Sequence, residues 1–160
     1  MSTFATIIEF YKFQKVTFYT IIINGEIASL GTQFIENNKK HKHMVILKTW
    51  IQNIGSKRGA RSYLFRPERK ANALPPPIEI SHKSCSLRWY CLHLSESVVI
   101  LFNGGEKTKN IRAAQDCPIV GPHFELANIL SEAILKAYDQ KVFSFNKSGR
   151  LVPENIIIQF

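Results

Sequence analysis

Five basic residues lie on or beside segments with the composition of β-strands, and together they could bind a phosphate ester. Arg88 is inside a strand-like run, Lys107 and Lys109 follow the next run, and Arg61 and Arg66 flank a short aromatic segment. Guanidinium and ammonium groups in fixed positions stabilise negative charge that develops on a phosphorus centre, and arginine does so with a rigid fork of donors. These residue types therefore indicate phosphate chemistry carried out by protein cations.

Motifs of other chemistries are missing from the sequence. Gly104-Gly105 lacks the remaining glycines and the Lys-Ser/Thr pair of a P-loop, and the chain has no HExxH, CxxC or GxSxG motif. His41 and His43 lie among lysines, which would repel a metal cation. We therefore expect no metal site and no cofactor.

The three cysteines do not indicate a metal site or a disulfide framework. Cys85, Cys91 and Cys117 are an odd number without metal-like spacing, and we expect them to be reduced thiols in a cytoplasmic protein. A Cys91 nucleophile would need a partner base, and only His93 is close in sequence. No residue stands out as a general base.

The strand that carries Arg88 is predicted to form a hairpin with its neighbour. Leu87 to Leu94 and Val98 to Phe102 are separated by only three residues. The second run, VVILF, is apolar at every position, which is typical of a central strand covered on both faces. Leu87, Trp89, Cys91 and His93 fall on one face of the first run, and Arg88, Tyr90 and Leu92 on the other. Asn103-Gly104-Gly105 is expected to end the second strand, which brings Lys107 and Lys109 near Arg88.

The net charge of +9 is concentrated in one segment. Between Lys39 and Lys70 the chain has ten Lys or Arg and one acid, Glu68, whereas basic and acidic residues balance in the remainder. A concentrated basic segment on a neutral scaffold indicates a surface for a polyanion. Nucleic acid is the preferred partner, and an acidic protein or a solvated basic helix without a partner are the alternatives.

The order of elements predicts one α+β domain with a mostly antiparallel sheet and both N-terminal helices on one side. Residues 1 to 13 form either an additional strand or a short helix at the sheet edge. No signal peptide or membrane span is expected. The expected helices are Glu26 to Asn38, a second that starts at Met44 and has Gly55 as its C′ residue, and Phe124 to Tyr138. The other expected strands are Lys15 to Ile23 and Tyr63 to Phe65, with strand-like pieces at Val142 to Phe145 and Ile156 to Phe160. An extended loop with Pro75-Pro76-Pro77 is expected over Ala71 to Ser86.

The hairpin and its basic flank resemble the RelE/ParE/HigB-type toxins of bacterial toxin–antitoxin pairs. The family pattern is an arginine-bearing strand, a short turn, an apolar strand, and then glycine with a basic cluster. Here it reads LRWYC, SES, VVILF and NGGEKTK. The resemblance implies a RelE-like domain over residues 15–138, with extensions at 1–14 and 139–160. The sequence departs from the pattern in its long proline-containing loop and in these two extensions.

The resemblance further implies a ribosome-dependent endoribonuclease that cuts mRNA without a metal. Arg88 would then stabilise the transition state, while Lys107, Lys109 and Arg66 would hold phosphates, and one of these could act as acid or base if neighbouring cations lowered its pKa. Tyr90 would stack on a base. The implied partners are mRNA, ribosomal RNA and a small helix-turn-helix antitoxin, with no membrane. The remaining residues expected to bind RNA are Lys57, Arg58, Arg61, Arg69 and Lys70.

Two other functions remain open from the sequence. The first is a ParE-like toxin that inhibits a topoisomerase by contact, and the second is a nucleic-acid-binding module without catalysis. Individual residues also have simpler interpretations. Arg88 could pair with a carboxylate such as Glu106, His93 could be a satisfied core residue, and Trp50 is expected in the core.

Overall fold

The computed structural model describes residues 2–74, 86–108 and 111–160, and these form an α+β fold around a mixed sheet. The seven strands of the main sheet run in the order β3-β4-β5-β6-β2-β1-β9, and β7 and β8 form a separate pair. The strands are β1 Phe4–Lys12, β2 Thr17–Ile23, β3 Arg66–Glu68, β4 Ala71–Leu74, β5 Leu87–Ser95, β6 Val98–Glu106, β7 Ser144–Phe145, β8 Leu151–Val152 and β9 Ile156–Gln159, and the helices are α1 Leu30–Asn37, α2 Met44–Asn53 and α3 Gly121–Asp139.

The sheet is mixed because β2 and β6, which lie side by side at its centre, are parallel. The other neighbouring strands of the main sheet pair antiparallel. Two strands, β1 and β2, precede the helices α1 and α2. The α+β class is thus confirmed, whereas the description as a mostly antiparallel sheet with two N-terminal helices is replaced by this mixed arrangement.

Helices cover both faces of the sheet. On one face, Phe34 of α1 and Leu47 of α2 pack into a cluster with Trp89 and Leu101. On the other face, apolar residues of α3 such as Leu130 pack with alternate residues of the same strands. The VVILF run therefore has apolar neighbours on both sides, and each of its residues is at most 1% exposed, which confirms the predicted central strand.

The hairpin and the C-terminal helix also match their predictions. Strands β5 and β6 pair antiparallel around a turn at Glu96-Ser97. Helix α3 covers the predicted span and begins three residues earlier, since Pro122 is tolerated in a first turn that needs no N–H partner. None of the described helices is both long and apolar enough to cross a membrane.

Several local predictions were wrong. The predicted strand at Tyr63 to Phe65 is not present. Tyr63 belongs to a 3-10 turn at Ser62–Leu64 and is 78% exposed, and the next strand begins at Arg66. Gly55 does not end helix α2; the helix continues as a π-helical turn over Ile54–Arg58, and the following Gly59 has φ +78°. That φ lies in the left-handed region which glycine adopts without strain.

The predictions also misplaced two ends and one loop. Helix α1 begins at Leu30 because the Ser29 side chain caps it by accepting from the Thr32 N–H. The start of the predicted loop, Ala71–Leu74, is strand β4, whereas Pro75-Pro76-Pro77 lies outside the described residues. The first residues form β1, which lies inside the sheet between β2 and β9 rather than at its edge.

Candidate functional site

A β-bulge between β5 and β6 positions the backbone around Arg88. Strand β6 continues through Asn103, Gly104 and Gly105 to Glu106, so the predicted strand end at the glycines was wrong. Trp89 pairs with Gly104, but Cys91 pairs with Leu101, which places an extra residue on β6. A Cβ on Gly104 would lie 1.9 Å from the Arg88 carbonyl oxygen. Glycine at 104 therefore permits the close pairing of β6 with the backbone of Arg88.

Hydrogen bonds fix the bulge from both strands. The Trp89 indole Nε1 donates to the carbonyl of Phe102 at 2.8 Å, and the Asn103 side-chain oxygen accepts from the Gly104 N–H at 2.8 Å. Beyond the bulge, the Lys107 N–H donates to the Ser86 carbonyl at 2.8 Å, which extends the pairing past Glu106. The backbone that carries Arg88 and Lys107 is thus held over its whole length.

Three of the predicted cations, Arg66, Arg88 and Lys107, lie close together, and we call them the cation cluster. Arg88 is 9% exposed, on the face of β5 that also carries Tyr90. The pKa of Lys107 is lowered by burial, and then by the positive charges of Arg88 and Arg66. The Lys107 Nζ also donates to the Arg112 carbonyl at 2.8 Å. The cluster thus concentrates positive charge at the end of the hairpin opposite its turn.

Glu68 lies within the cation cluster, and the sequence analysis did not identify it as a functional residue. Its carboxylate accepts from Arg66 Nη2 at 2.6 Å and from Arg66 Nε at 2.9 Å. Its side chain is 12% exposed, and its charge acts to raise the pKa of Lys107. The sequence feature that could have identified Glu68 is its position as the single acid in the basic segment.

Tyr90 is buried beneath the cluster and offers no ring face to a base in this structure. Its exposure is 0%, and its ring packs edge-on against Phe124 with the centroids 5.9 Å apart. Its hydroxyl has no hydrogen-bond partner within the part of the chain that the structure describes. Burial, followed by the charge of Glu68, raises the pKa of Tyr90, while Arg88 and other nearby cations act to lower it. The hydroxyl therefore lies near the charged groups, whereas the predicted stacking is not possible in this arrangement.

Cys117 and Thr108 border the cluster and were also missed as a pair. Cys117 follows the 3-10 turn Ala114–Asp116 and precedes α3. Its Sγ lies 3.5 Å from the Thr108 N and 3.6 Å from the Thr108 Oγ1. Burial acts to raise the pKa of Cys117, but hydrogen bonds from Thr108, Val120 and Ile119 outweigh it and lower the pKa to about 7. Sequence spacing alone could not show this contact, since the loop between the two residues determines it.

The remaining predicted cations that the structure describes lie outside the cluster. Arg61 is exposed and faces Glu96 across 3.9 Å, at the turn end of the hairpin. Lys109 lies outside the described residues. Arg58 lies over Trp50 on the α2 face, whereas Arg69 lies over the Phe124 ring on the α3 face. Lys57 and Lys70 are exposed beside them, so the basic segment is divided between the two faces of the sheet.

The contacts of His93 and Glu106 and the burial of Trp50 bear on the simpler interpretations of His93, Arg88 and Trp50. His93 places Nε2 against the Ala60 carbonyl oxygen and packs on Phe65, which confirms its predicted role as a satisfied residue. Glu106, the alternative partner for Arg88, accepts from Ser86 Oγ at 3.0 Å and lies 3.5 Å from His41 Nε2. Trp50 is 6% exposed, as a core residue should be.

The described residues do not form a metal-ligand group, and comparison with known proteins does not assign a function to the cation cluster. Over residues 2–74, 86–108 and 111–160, no group of three or more His, Cys, Asp or Glu side chains is arranged to hold a metal ion. The positive charge at the site therefore belongs to Arg66, Arg88 and Lys107 among the described residues. Comparison with known proteins finds no matching family model, no matching curated protein and no matching solved structure.

Proposed function

We propose that the chain is an endoribonuclease that cleaves RNA with its own cations, without a metal. The observation that carries this proposal is the convergence of Arg66, Arg88 and Lys107 on the rigid end of the β5–β6 hairpin. Preorganised cations stabilise a developing anion at little reorganisation cost, which makes them effective at phosphorus. Arg88 is the residue proposed to stabilise the transition state, because its strand β5 is held in place by β4 on one side and β6 on the other.

The reaction that suits this arrangement is attack by a ribose 2′-hydroxyl on the neighbouring phosphate. The bond from O2′ to phosphorus forms as the bond from phosphorus to O5′ breaks, which leaves a 2′,3′-cyclic phosphate and a 5′-hydroxyl. Negative charge on the pentacovalent phosphorane would be stabilised by the guanidinium groups of Arg88 and Arg66. Holding the substrate in line would supply a further share of the acceleration.

Proton transfer can be assigned to two further groups. Lys107 has a lowered pKa, so its ammonium group gives up a proton more readily than an ordinary lysine and can protonate the leaving O5′. Glu68 accepts two hydrogen bonds from Arg66 and lies within the cluster, so it can accept the proton of the 2′-hydroxyl. Glu68 thus supplies the general base that could not be identified from the sequence.

The cellular role that we propose follows from the resemblance. It is that of a RelE-like toxin which cuts mRNA on the ribosome and is neutralised by a small helix-turn-helix antitoxin. The support for this role is the hairpin sequence LRWYC, SES, VVILF and NGGEKTK. The described fold shares the α+β class of the expectation, but it has two strands before α1 and four strands, β3 to β6, between α2 and α3. Exposed cations such as Arg58 and Lys57 would contact ribosomal RNA through its phosphates.

The test is cleavage of RNA by the purified protein in EDTA, free and in a translating extract, with cut sites mapped by primer extension. We expect Arg88→Ala to lower the cleavage rate by a factor on the order of 100 to 1,000. Arg88→Lys should recover only part of the rate, because it restores charge without the planar fork. Lys136→Ala is the control and should leave the rate nearly unchanged, since Lys136 is an exposed base in the last turn of α3 that is not among the cations proposed to contact RNA.

A growth assay separates the alternatives. Expression of the wild type should arrest growth, and Arg88→Ala should restore it. Arrest by both proteins without any RNA cleavage would overturn the nuclease proposal and favour a ParE-like contact inhibitor. RNA binding without arrest or cleavage would favour the non-catalytic nucleic-acid-binding module.

A further inference from the structure

The described main sheet ends in two edge strands that differ in composition. At one edge, β3 consists of Arg66, Pro67 and Glu68. Its proline has no N–H to donate, and its two charges oppose desolvation, so this edge resists pairing with another strand. At the other edge, β9 is Ile156–Gln159, which contains neither a charged residue nor a proline. The β9 edge therefore lacks the features that usually prevent two sheets from joining.

The backbone of β9 directs hydrogen-bonding groups away from its neighbour β1. The Phe160 N–H donates to the Thr3 carbonyl at 3.1 Å, so Phe160 and, by alternation, Ile158 bond to β1. The N–H and C=O groups of Ile157 and Gln159 therefore point away from β1. Within the part of the chain that the structure describes, no hydrogen bond from another element reaches these groups. They are available to a further strand.

A groove of about 520 Å³ lies between β9 and helix α3. The α3 residues that line it recur at helical spacing: Ile129, Glu132, Ala133, Lys136, Ala137 and Gln140. Large apolar side chains are exposed here, with Ile129 50%, Val142 46% and Ile157 61% accessible. Apolar side chains that are exposed together beside an open strand edge are typical of a protein interface.

The charge of this groove suits a second copy of the chain rather than a polyanion. The whole chain has a net charge of +9, whereas the charged residues that line the groove are Glu132 and Lys136, one of each sign. A surface without net charge does not attract nucleic acid. In a two-fold contact each patch meets its own copy, so a patch with both signs can complement itself.

We propose that β9 pairs antiparallel with β9 of a second copy, so that the two main sheets become one. The register that uses all the outward groups places Ile158 on the two-fold axis and Ile157 of each copy opposite Gln159 of the other. Each of these pairs then exchanges two hydrogen bonds. On the α3 face, Ile156 of each copy lies opposite Phe160 of the other, so apolar side chains meet across the junction.

This dimer does not depend on the ribonuclease function. Strand β9 lies at the opposite edge of the main sheet from β3, which carries Arg66 of the cation cluster. Pairing through β9 leaves the strands that carry the cluster outside the junction. Association and RNA cleavage are therefore separate properties, and the failure of one leaves the other standing.

The first experiment is sedimentation velocity of the wild-type protein over a range of concentrations. Because the contact is a short strand beside one groove, we expect a monomer–dimer equilibrium with a dissociation constant on the order of 10 µM. A protein that stays monomeric at about 20 times that concentration would overturn the second copy as the occupant. Growth beyond the dimer would also contradict the two-fold contact, because that contact closes on itself.

The second experiment places a charge on the β9 edge with Ile157→Lys. The side chain is largely exposed, so the variant should fold, and we expect dimerisation to weaken at least about 30-fold. Val45→Lys is the matched control, since Val45 is 73% exposed on α2 and acquires the same charge. Equal weakening in both variants would mean that net charge, and not the β9 edge, controls association, which would overturn the proposal.

The third experiment separates strand pairing from simple apolar contact. Gln159→Pro removes an N–H that points away from β1 and leaves Ile157 unchanged, so the fold should tolerate it as edge strands tolerate proline. We expect this variant to dimerise at least about tenfold more weakly than the wild type, and Gln159→Thr, which keeps the N–H, to dimerise normally. Thermal unfolding verifies that both variants are folded. A folded Gln159→Pro protein that dimerises as tightly as the wild type would overturn the pairing of β9 with its copy.

Discussion

The two ends of the β5–β6 hairpin differ in chemistry although the same two strands form both. Toward the turn, Val98 to Phe102 are buried on both faces, and the neighbouring Arg61–Glu96 pair is exposed. Toward the open end, beyond the bulge at Gly104, the strands carry Arg88 and lead into Lys107. Both ends therefore contribute to the core, but only the open end places a charged side chain, Arg88, among buried residues.

The difference shows where the hairpin buries charge, because Arg88 is 9% exposed beside the fully buried Trp89. The apolar end fixes the strands, and the bulge changes the register before the cations begin. Catalytic groups on strands supported by packed neighbours keep their geometry better than groups on loops. Substitutions at the two ends of the hairpin should therefore have different effects.

The largest effect is expected from Gly104→Ala. The new Cβ would lie 1.9 Å from the Arg88 carbonyl oxygen, a contact that only a backbone shift can relieve. We expect a loss of about 4 kcal/mol in the free energy of unfolding, measured by urea denaturation. Gly105→Ala is the matched control, because among the described residues its Cβ would meet side chains and no backbone, with Ile119 at 3.2 Å and Val120 at 3.8 Å. Similar losses in both variants would argue against a special role for the bulge.

At the apolar end, Leu101→Ala should cost about 3 kcal/mol, because it leaves a cavity where a fully buried side chain packs. The same urea titration measures it. If the two ends are separable, the variant that remains folded should keep its rate of RNA cleavage. A large change in that rate would show that the apolar packing and the charged end are coupled.

Removing one carboxylate at each end should give unequal results. Glu68→Gln removes the mostly buried carboxylate that pairs with Arg66, and we expect a loss of about 1–2 kcal/mol in stability. Glu96→Gln breaks an exposed pair and should change stability by less than about 0.5 kcal/mol. Thermal unfolding of both variants at low and high salt provides the comparison. Equal losses would mean that the cluster is as solvated as the turn.

The smallest effect at neutral pH is expected from Tyr90→Phe, which removes a buried hydroxyl without a partner. Its folded-state pKa is raised above the ordinary 10.0. The stability that depends on the neutral hydroxyl is therefore fully present below pH 10 and is lost as the pH rises toward the folded-state pKa. Tyr90→Phe should flatten the fall in stability above pH 10, as followed by circular dichroism, and an unchanged slope would contradict the burial of this group.

Local patterns predicted the parts of the fold that depend on short-range chemistry. The alternation in Leu87 to Leu94 placed Trp89 and Tyr90 on opposite faces correctly, and the uninterrupted VVILF run indicated burial on both sides. Gly104 was misread as the end of a strand, because a glycine that permits a close approach has the same sequence signature as one that ends an element.

The site was only partly predictable because its geometry depends on pairing between distant segments. Arg88 and Lys107 share one hairpin, so their proximity follows from a short turn. Arg66 joins them through β4, which pairs with β5, and Arg61 is only five residues earlier but points to the other end. The contact between Thr108 and Cys117 depends on how a loop closes, and no periodicity describes such a loop.

The parallel pairing of β2 with β6 has a consequence for biosynthesis. Thr17 and its partner Val98 are separated by roughly 80 residues, which take about 4–16 s to translate at ordinary rates. Until β6 has been made, the β1–β2 hairpin exposes the apolar edge of β2 that will become the middle of the sheet. Nascent chains should therefore need chaperone protection during this interval, and late association of the two halves should limit the rate of folding.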